Sequence, residues 1–180
     1  MIISFKNLII LITISSLIVS QDFEDIDIRL SNLEFEKVQL PLEQLHSKYP
    51  QNTDILLRLT ITHHYLSESA MKKSLDKKNA SKAFEYIEKA YDIEPNNPNI
   101  LKWYVITLGK TVEEDTIRNQ IEQSKNIQSI ALKVIDLLPD DEFCYSIMGQ
   151  WHYNIVALIP VAWLLTYLIY VPLQLKDRNA

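Results

Sequence analysis

The side chains with chemistry to offer are few. Four histidines, His46, His63, His64 and His152, include no HExxH pair, and adjacent His63 and His64 point to different sides of a helix. No metal is expected; these rings read as helix-packing histidines. The single Cys144 has no partner for an intramolecular disulfide and leaves a thiolate zinc site without its other sulfur ligands. Serine, histidine and aspartate all occur, but without a GxSxG elbow. The two glycines, Gly109 and Gly149, cannot between them build a Walker A loop or a GxGxxG fingerprint. A non-enzymatic chain without a cofactor is therefore expected. Lys72, Lys73, Lys77, Lys78 and Lys82 form the dense basic run, with Glu68 and Asp76 nearby, at an expected bend between two helices. Such a run either meets an acidic protein or anionic lipid, or is a solvated loop and helix start. Inside it, Asn79-Ala80-Ser81 is an N-glycosylation acceptor, which matters only if the chain enters the secretory pathway.

These residues must be positioned by helices. Two glycines in 180 residues exclude a hairpin-rich fold, and 47% hydrophobic against 23% charged residues describes a chain able to bury a core. Eighteen basic against 23 acidic residues leave a net charge of -5, which excludes counterion release from nucleic acid as a source of affinity. A spacing then recurs: Val38, Leu42, Leu45, Pro50; Ala83, Ile87, Ala90, Pro95; Ile127, Ala131, Val134, Pro139. Steps of four and three put each set on one helical face, and the proline just beyond stops the helix. After each proline, Asn or Asp is in place to cap a new helix. The later pairs Leu56 and Leu59, Leu101 and Tyr104, Tyr145 and Met148 share a face in turn. Helices are expected at 23–34, 36–48, 51–69, 78–94, 97–110, 114–138, 141–157 and 161–171, with Pro41 delaying or kinking the second. Gly109 is expected to end a helix, and Gly149 to lie where helices approach closely.

Both ends are apolar. Residues Leu8 to Ser20 follow Lys6 without a charge and fit a secretory signal, an uncleaved anchor or a buried helix. Ile155 to Leu175 holds only Thr166 and Gln174 as clearly polar side chains, but Pro160 and Pro172 trim its uninterrupted helix to about Val161 to Val171. It reads equally as a membrane segment or as a buried terminal helix pair or self-association face. Three stretches result: 1–20, signal peptide or N-terminal anchor; 21–158, helical repeats; 159–180, apolar helix and short charged tail.

The small-large-small-proline sets resemble the tetratricopeptide repeat, and Tyr145, Met148, Gly149 and His152 follow its first-helix pattern. The expected fold is an all-α, tetratricopeptide-like solenoid of antiparallel helix pairs with apolar terminal helices. The period exceeds the standard ~34 residues by about ten, which implies elongated pairs. Pro95 to Asn97, Lys102 to Tyr104, and Gly149, Trp151 and Tyr153, in this order and spacing, resemble the regulator of microtubule dynamics family; the resemblance spans about 23–158. It implies a helical adaptor linked to microtubules, the spindle or organelle membranes, with a protein partner, and it makes an acidic tubulin tail one reading of the lysine run's target. The chain departs from that family at Val161 to Tyr170, which is uncharged where relatives are usually charged. An apolar last helix needs cover from membrane, a second copy or a partner. A secretory signal would instead make the chain a secreted or membrane-anchored domain without microtubule contact, so a cytoplasmic and a secretory location both stand. First helices of such repeats line a concave face, which makes Arg58, His63, Lys102, Trp103, Gln150 and Trp151 candidates for partner contact. Trp103 and Trp151 read first as core or inter-helix packing residues, because large aromatics most often serve that role.

Overall fold

The computed structural model describes residues 23–156 apart from 114, 144 and 155. The expected signal or anchor at 1–20 and apolar segment at 159–180 lie outside the described residues. Among the described residues all regular structure is helical: α1 (23–31), α2 (Phe35–Lys48), α3 (Thr53–Glu68), α4 (Lys73–Ile93), α5 (Pro98–Val112), α6 (Ile117–Leu137) and α7 (142–156, where 144 and 155 are not described). The chain divides into two compact units, residues 1–83 and 84–180, and the division falls within α4.

Local chemistry sets the boundaries. Asn52 Oδ1 accepts from the Ile55 N–H at 3.0 Å and caps α3, while Asn97 accepts from Asn99 at 3.1 Å with Pro98 at the first turn of α5. Thr116 caps α6 through the Asn119 N–H at 3.3 Å. Pro41 does not delay α2, which begins at Phe35, six residues before it. The start of α4 is five residues earlier than expected. Leu75 and Asp76 both donate to the Lys72 carbonyl, and the Ser67 hydroxyl donates to Asp76 Oδ1 at 2.6 Å, which ties this acidic first turn to the end of α3. The lysine run therefore sits largely on a helix rather than in a bend. Gly109 does not end α5 either: the helix continues to Val112, and Glu113 N–H donates to the Gly109 carbonyl. Where a Cβ would stand on Gly149, no described atom beyond its chain neighbours and its own helix backbone lies within 4 Å, so the close approach expected there is absent among the described residues.

In the first unit α2 packs on α3. Val38, Leu42, Ile55, Leu56 and Leu59 are fully buried, and Phe35 stacks on Tyr65 at 4.7 Å between ring centres. Buried Ile26 anchors α1. In the second unit α5 packs on α6, with Leu101 and Val134 buried against Tyr91, Ile130, Ile135 and Leu138. The rings of Phe84 and Tyr91 lie 5.7 and 4.8 Å from that of Tyr104. The faces read from the spacing point inward at Val38, Leu42 and Leu45, at Ala83, Ile87 and Ala90, and at Ala131 and Val134, with Ile127 half-buried. Tyr145 differs: it is 53% exposed, and its hydroxyl donates to the Pro139 carbonyl at 3.0 Å.

Candidate functional site

In the first unit, α3 carries Arg58 and His63. Arg58 holds Asp27 of α1 through Nε and Nη2, both at 2.7 Å, gives Nη1 to the Asp54 carbonyl, and lies 4.3 Å from the centre of the Phe23 ring. This fork pins α1 to α3, so the guanidinium is occupied inside its unit. His63 is fully buried, not outward as its candidacy required. Three helices enclose it: Nδ1 is 3.2 Å from Asn79 Oδ1 on α4, and Nε2 is 3.8 Å from Glu43 Oε1 on α2. Burial pushes the His63 pKa down, against the hydrogen bond to Asn79 that favours the charged ring. Glu43 also takes hydrogen bonds from Gln39 Nε2 at 3.1 Å and Lys82 Nζ at 3.3 Å, and its carboxyl is held below the usual range chiefly by the Gln39 contact.

Asn79 is 8% exposed with its side-chain oxygen against His63. The Asn79 amide thus stands in the α3–α4 contact. Of the five lysines, Lys72, Lys73, Lys77 and Lys78 are exposed, whereas Lys82 is half-buried on Glu43. Met71 beside them is wholly exposed and Leu75 is 47% exposed.

In the second unit, Lys102 donates to Asp141 Oδ2 at 2.6 Å, and its Nζ lies 5.9 Å from the Phe143 ring centre. Asp141 Oδ1 accepts the Phe143 N–H at 2.9 Å, so one carboxylate both opens α7 and ties it to α5. Trp103 is half-buried, and Gln150 is exposed with Nε2 on Asn154 Oδ1. Trp151 is half-buried and donates its indole N–H to the Ser124 carbonyl of α6 at 2.8 Å. Within this unit the candidates are thus distributed along α5 and α7, and Lys102 and Trp151 each tether α7 to a neighbouring helix. Reading residue types missed Glu43 as the neighbour of His63 and Lys82, Asn79 as a packing partner, and Asp141 as the partner of Lys102, since each of these pairs meets at a sequence separation without a local pattern. Met71 could have been found as the apolar residue opening the lysine run.

No helix among the described residues is long and apolar enough to cross a membrane. The family described as regulator of microtubule dynamics protein 1-3 matches residues 22–162, most of the chain. Regulator of microtubule dynamics protein 3 of Xenopus laevis is 28% identical over 110 residues, which cover 61% of this chain. That stretch is 24% of the relative's own length, so the chain matches about a quarter of it. The matched span takes in every described helix, and with it the proline-asparagine turn, the Lys102 to Tyr104 helix start and the Gly149, Trp151, Tyr153 series. The chain belongs to the regulator of microtubule dynamics protein 1-3 family.

Proposed function

We propose that this protein is a non-enzymatic helical adaptor, built as a tetratricopeptide-like solenoid, that docks a protein partner in microtubule-linked or spindle work and is held near membrane by an apolar end. The family match over 22–162 carries this reading. It is supported by the recurrence of buried small or apolar residues on one face ahead of Pro50, Pro95 and Pro139, the arrangement by which helix pairs stack into an extended docking surface. Partner contact is assigned to Trp103 and Gln150, on the helices that follow Pro95 and Pro139. Arg58, His63, Lys102 and Trp151 stay outside this contact set, since Asp27, Asn79, Asp141 and the Ser124 carbonyl engage them within their own units. The family name favours a compartment where microtubules exist, and the burial of Asn79 lends no support to a glycan there. Self-association through the apolar segment after residue 158 belongs to the same proposal.

Two measurements test it together: cosedimentation of the full chain with microtubules, and protease protection of a C-terminally tagged copy in cells. The expected result is pelleting, directly or with a bridging partner, weakened about tenfold in Trp103→Ala/Gln150→Ala, an effect in the range of interface aromatics. A tag protected by an intact membrane, together with no pelleting, rejects the microtubule role.

A further inference from the structure

We propose that the start of α4, with Met71 and Leu75 set among Lys72, Lys73, Lys77 and Lys78, is a peripheral docking surface for an anionic lipid membrane. Asn79 and Ala83, four apart on α4, are buried, and that spacing fixes the helix's inward side. Leu75 and Lys78 then fall to one flank of the outward face, with Lys73 and Lys77 toward the other, and all four are exposed. Met71 and Lys72 project just before the first turn, also exposed.

Charge is segregated along this unit. Residues 72–82 hold five lysines and one acid, whereas residues 23–70 hold eight acids and four bases. A chain of net charge -5 therefore presents a compact cationic corner, the sign that meets a negatively charged leaflet. The apolar residues decide between ligands. An acidic polypeptide would neutralise the lysines yet leave Met71 and Leu75 in water. At a bilayer the two apolar side chains enter the boundary between headgroups and acyl chains, while lysine stems lie along it and their ammonium groups remain among the phosphates. Asp76 lies on the inward side with the Ser67 hydroxyl on its Oδ1, and its single negative charge leaves the four exposed lysines in excess.

The inference goes beyond partner docking and fails independently of it, since vesicles contain no protein. The full chain is sedimented with phosphatidylcholine vesicles and with the same vesicles containing phosphatidylserine. Apolar ends contribute alike to both, so the ratio of the two partition coefficients isolates the charge-dependent contact. Lys72→Gln/Lys78→Gln is expected to lower that ratio by about tenfold, Lys72→Arg/Lys78→Arg to preserve it, and added salt to reduce it in the wild type. Met71→Ser, at a wholly exposed position that folding does not need, is expected to weaken binding to the anionic vesicles by about threefold. An unchanged ratio in the glutamine pair overturns the proposal. So does full binding by Met71→Ser, which would leave charge alone as the determinant. Loss of microtubule pelleting in the glutamine pair with an intact vesicle ratio assigns the surface to an acidic protein instead.

Discussion

Burial of His63 among Glu43, Asn79 and Lys82 puts a titratable ring where its charged form is penalised. Its folded pKa lies below the ordinary 6.5, so the unfolded chain binds the proton more readily. Stability is therefore full above 6.5 and falls as pH drops through 6.5 toward the folded value. Lys78 and Lys82 on α4 reinforce the shift, and Glu43 on α2 opposes it. Glu43 itself has a lowered pKa, so its contribution stands above its ordinary 4.5 and is lost only at more acid pH. Urea unfolding at pH 7.5 and 5.5 should show a loss of stability in the wild type and a smaller one in His63→Gln. Equal losses in the two proteins would mean that His63 does not control this window. None of this was readable from His63 alone. Its position on an amphipathic helix was visible, but Asn79 lies 16 residues away and no local spacing announces the pair.

At the scale of the helices, most boundaries follow local rules that a sequence displays. Proline beyond the last apolar position and asparagine ahead of the next helix mark α2 to α3 and α4 to α5, and the Asn52 and Asn97 side chains do cap as expected. The end of α1 carries no such sign. Leu33 takes φ 60°, its N–H donates to Leu30 and that of Glu34 to Arg29, the bond pattern in which glycine usually occupies the left-handed position. Leu33 is 69% exposed, so its side chain offsets little of the backbone cost. Leu33→Gly should stabilise the protein by about 0.5–1 kcal/mol. The opposite exchange applies to Gly109, which lies inside α5 with no described atom beyond its chain neighbours and its own helix backbone within 4 Å of where a Cβ would stand. Gly109→Ala should add about 1 kcal/mol. Thermal unfolding of each variant reads both effects, and a lower Tm in either would contradict the cap or the helix assignment.

For the whole molecule, stability resides in side chains that share an inward face. Leu59 and Leu101, each essentially fully buried, should cost about 2–5 kcal/mol when cut to alanine, whereas Leu132, 49% exposed on α6, should cost about 0.5 kcal/mol or less. Urea denaturation supplies the magnitudes. Hydrogen exchange should map the lost protection to residues within 23–83 for Leu59→Ala and within 84–156 for Leu101→Ala. Comparable losses for Leu132→Ala would mean that the inward faces are misassigned. The all-helical class, the inward faces and the family were determined by the sequence itself, because residues three or four apart share a helical side in any environment and the order of Pro95, Trp103, Gly149 and Trp151 is a property of the chain. The tertiary structure alone decided that His63 is interior, that Asn79 packs against it, that Lys102 is spent on Asp141, and that Lys72, Lys73, Lys77 and Lys78 are exposed at the start of α4. Periodicity fixes which side of a helix is buried, but which polar group meets it across 16 or 39 residues depends on how the helices pack.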